Sequence, residues 1–470
     1  MPVDKAYAAM PIHARLGEKF FDPVRAAEFP AHILRHRNDA WAARLGLNSL
    51  TDEEWLDHFG RFAPLPGNLD PPLCLRYHGH QFRAYNPDLG DGRGFLFAQL
   101  KSADGRILDL GTKGSGQTPY SRMGDGRLTL KGGVRELLAT SMLEALGVNT
   151  SKTFSLIETG EQLARNDEPS PTRSAVLVRL SHSHIRIGTF QRLAFEKDAE
   201  NIGRLVDHVL EHYDDAMWTV VQNEPPAARA VAMLKGACRR VARTGAQWMA
   251  AGFVHGVLNT DNINITGESF DYGPYRFLPH YDPEFTAAYF DHSGLYAYGR
   301  QPETLLWNLT RLAECLLPVA ARDDLIAALD AFAETFEPEL GKAICRRFNL
   351  TSKGETADME LVTALFQFLH GTKCPFERVF FDWYGGILSE TRAAKSPAAV
   401  HYASEHFSAF KTLMESYEPA VPERLSHAYF AGEEPCTLLI DEIEALWSAI
   451  ATFDDWKPVQ AKLGRIALMA

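Results

Sequence analysis

Cysteine is scarce in this 470-residue chain: Cys74, Cys238, Cys315, Cys345, Cys374 and Cys436 are scattered, with no C-x-x-C pair. That excludes a disulfide-dense secreted scaffold and a cysteine-built structural zinc site, and it points to a reducing compartment, read here as the cytoplasm. Long hydrophobic runs are also missing. Uninterrupted apolar stretches such as 175–178 are far shorter than the roughly 20 residues of a spanning helix, and MPVDKAYAAMPIHARLGEKF has no continuous apolar region of the leader kind. Basic charge is in deficit, with 48 Lys and Arg against 60 Asp and Glu and a net charge of −12. No global field therefore steers the chain onto nucleic acid or anionic lipid, and any bound anion needs a local basic site. Repeats and low-complexity segments are absent, and 46% hydrophobic residues are ample for a globular core.

What is present changes texture along the chain. Residues 1–76 read as a helical start followed by a Pro- and Gly-rich wrapping passage, FAPLPGNLDPPL. From 77 to 185 strands dominate. HQFRAYN (80–86) reads as one strand, and FLFAQLK and RILDLGTK flank an Asp104-Gly105 hairpin turn. A helix is predicted over 133–146, then strands near 152–157 and 174–180. From 186 to 470 the chain is mainly helical, with helices predicted over 228–251, 303–319, 323–336 and 357–369. The pattern predicts an α+β molecule with a strand-rich lobe, a larger helical lobe and a ligand cleft between them.

Three segments carry chemistry. Gly90-Asp91-Gly92-Arg93-Gly94 lies between candidate strands, where glycines admit phosphate close to backbone N–H groups and Arg93 adds a charged fork; alone, a tight hairpin turn reads the same way. The glycine run 111–118 fails as a P-loop, because Gln117 stands where the phosphate lysine belongs. Lys113 at a strand end, followed by Glu136 in the next helix, instead repeats the protein-kinase order of glycine loop, strand lysine and helix glutamate. In HGVLNTDNINITGESFDYG, His255 and Asn262 are seven positions apart, as in H-R-D-x-x-x-x-N, and Asp271-Tyr272-Gly273 stands where D-F-G follows. Asn262 and Asp271 supply oxygen ligands of the kind that hold Mg²⁺ on nucleotide phosphates. The usual base position is Val257, which accepts no proton, so Asp261 is the replacement carboxylate. Arg179 and Arg186, with His182 and His184 between them, are either phosphate clamps or partners of surface carboxylates. His78, His80, His280 and His292 lack a metal-binding pattern and read as structural histidines.

On YHGHQF (77–82), LGDGRG (89–94), GTKGSGQTPYSRMGDGR (111–127), VREL (134–137), SHIRIGTF (183–190), HGVLNTDN (255–262) and DYGP (271–274), the chain resembles the selenoprotein O family of atypical kinase-fold proteins. The resemblance implies a two-lobed protein-kinase-like fold and transfer of AMP from ATP to protein hydroxyls, with the nucleotide reversed relative to kinases. It implies ATP contacts from Gly90, Gly92, Arg93, Lys113, Asp125, Gly126, Arg179, Arg186 and Asp271. Asp261 would be the proton acceptor, Asn262 and Asp271 the ligands of Mg²⁺ (or Mn²⁺), and Glu136 the ion-pair partner of Lys113. Arg83 stands where the family usually has Gly, and Leu258 replaces a common Met. Many members end in a Cys- or selenocysteine-bearing tail; this chain ends KLGRIALMA, so redox control from such a tail is not expected. The partners implied are proteins bearing hydroxyl side chains, with no nucleic acid and no membrane; oligomeric state is not legible. A phosphotransferase and a non-catalytic pseudokinase scaffold are the rival readings. Val257 weighs against the first, and the joint presence of Lys113, Glu136, Asn262 and Asp271 against the second.

Overall fold

The computed structural model describes residues 4–166 and 168–469. The first three residues of the stretch read for a leader, and the last of KLGRIALMA, lie outside them. Twelve strands are formed among the described residues. They are β1 (Phe21–Pro23), β2 (Ile33–Arg37), β3 (Leu73–Leu75), β4 (Gly79–Gln81), β5 (Ala84–Asn86), β6 (Leu96–Lys101), β7 (Ile107–Lys113), β8 (Leu128–Thr129), β9 (Lys152–Leu163), β10 (Thr172–Ser181), β11 (Phe253–His255) and β12 (Tyr275–Phe277). The helices that position the site are α1 (Asp39–Arg44), α2 (Asp52–Phe59), α3 (Leu130–Ala145), α4 (Ile187–Phe195), α5 (Ala199–Tyr213), α6 (Asp215–Val221), α7 (Pro226–Ala251), α8 (Gln301–Cys315), α9 (Arg322–Arg347) and α10 (Glu355–Thr372).

An eight-stranded antiparallel sheet occupies the N-terminal region in the order β1-β3-β6-β7-β10-β9-β2, with β8 pairing on β10. The predicted hairpin forms β6 and β7, and Gly105 takes the left-handed conformation its turn requires (φ 89°). Residues 1–76 supply β1 and β3 at one edge and β2 at the other. One sheet face is covered by α1 and α2, where Trp55, Phe59, Phe97 and Phe154 interlock. The other carries α3, whose Val134, Leu137, Leu138 and Met142 are buried. Helix α3 starts earlier than its predicted residue 133. The Thr129 side chain accepts from the Gly132 N–H as an N-cap, and Gly133 is internal because a Cβ there would lie 2.5 Å from the Leu156 side chain on β9. That close approach points Glu136 at the end of β7.

The chain is helical after β10. Helix α7 ends at Gly252 (φ 61°), as predicted, and passes directly to β11. Helix α9 runs past its predicted end at 336, through Pro338 to Arg347. Burial of Leu340, Ala343 and Ile344 beyond the proline offsets the lost backbone bond. The segment HQFRAYN is not one strand: it folds back as the β4–β5 hairpin, with Phe82 and Arg83 both at positive φ. Among the described residues no helix is long and apolar enough to cross a membrane.

Candidate active site

Lys113 is the last residue of β7 and is buried; its Nζ donates to Glu136 Oε2 on α3 at 2.6 Å and to Asp271 Oδ1 at 2.8 Å. Arg179 enters from β10, where it pairs with Gly111 of β7. Its Nη1 lies 3.4 Å from Glu136 Oε1 and 3.5 Å from Asp271 Oδ1. Two cations and two carboxylates thus close a ring, buried at Lys113, Glu136 and Arg179 and part-exposed at Asp271. Against burial, Lys113 first, then Arg179 and Arg186, hold the Asp271 carboxyl well below the usual carboxylate range. Asp271 itself has φ 65°, a strained setting for a residue with a Cβ. Its second oxygen, Oδ2, accepts from Asn262 Nδ2 at 3.0 Å. The structure thus brings together Lys113 with Glu136 and Asn262 with Asp271.

Arg186 sits at the N-terminal cap of α4. Its Nη1 donates to the Asp261 backbone carbonyl at 3.0 Å, and its Nη2 lies 3.2 Å from Asp91 Oδ1 in the glycine loop. The guanidinium also lies over Tyr77 and over Phe270, and Arg179 stands over the same Phe270 ring. These planar contacts fix both arginines without neutralising them. Asp261 is buried, and its Oδ1 has no hydrogen-bond partner. Burial pushes its carboxyl up to about 6, partly opposed by Arg186. A carboxyl with that value is half-ionised at about pH 6 and mostly ionised at neutrality, so it is free to accept a proton there. Val257, at the kinase base position, is an alkyl side chain and offers no such group.

The side chains face a cavity of about 700 Å³. It is lined by Lys113 and by Arg93, Arg122, Arg127, Arg165, Arg179 and Arg186, against Asp91, Asp125, Asp261 and Asp271. In a chain of net charge −12 this is the local basic site that binding of an anion requires. Arg93 is exposed at its rim. Gly90 is forced by packing: a Cβ there would lie 2.3 Å from the Tyr120 ring, and Tyr120 is fixed by its hydroxyl on Asp22 at 2.7 Å. Gly126 (φ 70°) lies against Gly116, where a Cβ would come within 2.2 Å of the backbone. Ser121 and Thr118 donate to the Gly92 and Asp91 carbonyls, so the 118–126 loop and the glycine loop form one wall.

The candidate site residues Gly90, Gly92, Arg93, Lys113, Asp125, Gly126, Arg179, Arg186, Asp261 and Asp271 all border this cavity. Asn262 does not border it; it follows Asp261 in the chain and its Nδ2 donates to Asp271 Oδ2. Asp125 at the rim is ion-paired with Arg165 at 2.8 Å. Neither histidine between the two arginines lines the cavity: the His182 ring packs on Tyr213, and the His184 Nδ1 lies 3.3 Å from Asp109 Oδ2. Sequence reasoning missed Asp91, Phe270 and Arg165. Asp91 lies inside the glycine loop and Phe270 immediately before the D-Y-G triplet, so both were within reach of motif reading; Arg165 has no local signal.

Among the described residues no cluster of three or more His, Cys, Asp or Glu is built to hold a metal. The donor set that is present, Asp271 Oδ2 with the amide oxygen of Asn262, is hard and oxygen-only. It suits a cation that completes its shell with phosphate oxygens and water, and the unpartnered Asp261 Oδ1 leaves one further oxygen unsatisfied nearby. In this structure Asn262 turns its Nδ2 to Asp271 Oδ2, so these oxygens fit Mg²⁺ with the Asn262 amide reversed to present its oxygen.

A family model described as Protein adenylyltransferase SelO matches residues 5–467. Among similar curated relatives, each named Protein nucleotidyltransferase YdiU, that of Synechococcus elongatus is 42% identical over 97% of this chain and 94% of its own length. The relative from a Synechocystis species is 44% identical over 94% of each chain. That of Vibrio cholerae is 38% identical over 78% of this chain and 72% of its own.

Proposed function

Because the chain belongs to the SelO family of protein adenylyltransferases and is a protein nucleotidyltransferase, we propose that it moves AMP from ATP to Ser, Thr or Tyr hydroxyls of other proteins, with Asp261 as the proton acceptor. The observation that supports the mechanism is a buried carboxylate, Asp261, with an unpartnered oxygen, bordering a basic cavity whose Lys113 is held between Glu136 and Asp271.

Lys113, Arg93, Arg179 and Arg186 are assigned to the phosphates of ATP, with Gly90, Gly92, Asp125 and Gly126 shaping the wall against which the nucleotide lies. Asp261 takes the proton as the acceptor hydroxyl oxygen bonds to the α-phosphorus. The bond from that phosphorus to the α,β-bridging oxygen breaks, and pyrophosphate leaves with its electron pair. Asp261 then returns the proton to water. Arg186 holds the backbone of Asp261 in register with the glycine loop through Asp91. Asn262 and Asp271 would hold Mg²⁺ (or Mn²⁺), which neutralises phosphate charge when bound.

The same reading assigns a two-lobed, protein-kinase-like fold, with residues 77–185 as the smaller lobe, 186–470 as the larger and 1–76 as an extension. The chain order of glycine loop, Lys113, Glu136, Asn262 and Asp271 supports it. The proposed compartment is the cytoplasm, supported by six free, buried cysteines. Incubation with ATP labelled at the α- or the γ-phosphate, together with a protein extract, tests the function. Protein-bound label is expected from α only. Label from γ alone would make the chain a phosphotransferase, and label from neither, a scaffold.

A further inference from the structure

The β4–β5 hairpin begins inside the active-site cavity and ends outside it. At its base, a Cβ on Gly79 would lie 2.9 Å from Asp261 Oδ1, and Gln81 lines the cavity. Its tip is Phe82-Arg83, both in the left-handed region (φ 48° and 63°) that bulky side chains enter at a cost. Neither residue is a turn former, and the tip does not bury the ring: Phe82 is 40% exposed. Strain held in place for an exposed aromatic at the edge of a reaction site is a functional signature.

Phe82 does not stand alone. Its ring packs on Phe290 at 5.8 Å, and Phe290 on Tyr289 at 5.1 Å; these are 42% and 81% exposed. The strip is clamped to the segment carrying Asp261. The Phe82 N–H donates to Asn259 Oδ1 at 3.1 Å, the Tyr296 hydroxyl donates to the same oxygen at 2.6 Å, and the His80 N–H donates to Thr260 Oγ1 at 2.7 Å. The position of the hairpin tip relative to the segment carrying the carboxylate is therefore fixed by hydrogen bonds.

We infer that Phe82, Phe290 and Tyr289 form the docking strip for the acceptor polypeptide, receiving an apolar or aromatic side chain that flanks the hydroxyl-bearing residue. This rests on the transferase reading above. The choice of occupant follows from position: the strip stands on the hairpin whose Gln81 lines the cavity and whose tip is bonded to Asn259, two residues before Asp261, so with the nucleotide in the basic cavity an acceptor reaching Asp261 passes these rings. Specificity would then reside in the residue beside the modified hydroxyl rather than in the hydroxyl itself.

The test uses the full chain and synthetic peptides with a single Ser acceptor, identical except for Phe or Gly flanking it. Phe82→Gly is the principal variant, because glycine adopts the tip conformation freely and so removes the ring without breaking the turn; Phe290→Ala is the second. The wild type is expected to transfer α-label to the Phe-flanked peptide with about tenfold higher kcat/KM, the scale of one lost apolar contact. Each variant is expected to erase that preference through KM while the Kd for ATP stays at the wild-type value. A wild type indifferent to the flank, or a Phe82→Gly variant that keeps the preference, would overturn the inference. So would a dimer that Phe82→Gly converts to monomer, since the strip would then belong to a second copy. Failure of every peptide and every extract protein to take α-label would overturn the transferase reading itself, and this inference with it.

Discussion

Replacing Asp261 with Asn separates catalysis from stability in opposite directions. Burial holds this carboxyl at about 6 in the folded chain, against an ordinary value of 3.8. At about 1.4 kcal/mol for each tenfold in the proton equilibrium, the gap is worth about 3 kcal/mol. The sign follows from the two states. Below about pH 4 the group is protonated in both and contributes nothing. Between about pH 4 and 6 the unfolded chain ionises it while the folded chain does not, so stability falls; above about pH 6 the whole about 3 kcal/mol is lost. Asp261→Asn cannot ionise, so the variant should exceed the wild type by up to about 3 kcal/mol at about pH 7.5 and match it near pH 4. Transfer of α-label should drop by ~10²–10⁴, the usual worth of a general base. Urea unfolding followed by tryptophan fluorescence at both pH values, beside the transfer assay, reads both quantities. A variant no more stable than wild type at about pH 7.5 would refute the burial argument, and one retaining wild-type transfer would refute the base.

Lys113→Ala leaves Glu136 and Asp271 with Arg179 alone between them, at 3.4 and 3.5 Å, so one carboxylate charge is uncompensated. It should destabilise the chain by roughly 3–5 kcal/mol and abolish ATP binding, read by thermal melting and calorimetric titration. Arg93→Ala removes an exposed cation with no structural partner to lose, so it should leave the melting temperature unchanged while raising KM for ATP about ten- to a hundredfold, the worth of a charged hydrogen bond. Transfer should rise with pH through about 6 as Asp261 ionises, and a profile flat from about pH 5 to 8 would contradict its role. Burial pushes the Cys238, Cys315 and Cys374 thiols up to about 12. The native protein should therefore resist iodoacetamide at neutral pH, and its activity should not change with reductant, as mass spectrometry and the transfer assay would show.

The parts of the site legible in sequence were those whose partners are fixed by local spacing. Asn262 and Asp271 fall on one short segment, and Lys113 and Glu136 on a strand and the helix after it, so a linear pattern constrained them. Contacts between distant loops had no such mark. The Arg186–Asp91 link joins residues 95 positions apart, and Arg165 reaches Asp125 across 40. The β4–β5 turn was illegible because hairpin turns are read from Gly, Asn or Asp, and Phe82-Arg83 offers none. Helix α9 was cut short in sequence because Pro338 is a local stop signal, overruled by buried Leu340 and Ile344 beyond it. Helix α3 begins three residues before its predicted start at 133, because the Thr129 side chain caps it and close packing on β9 makes Gly133 an interior residue.

The fate of the three phosphates of ATP decides the central claim. Phosphorus-31 NMR of a reaction containing the chain, Mg²⁺, ATP and a hydroxyl-bearing acceptor protein follows each phosphate directly. AMP transfer predicts pyrophosphate accumulating in step with AMP esterified to the acceptor, and no ADP. Accumulation of ADP with phosphate on the acceptor would contradict it.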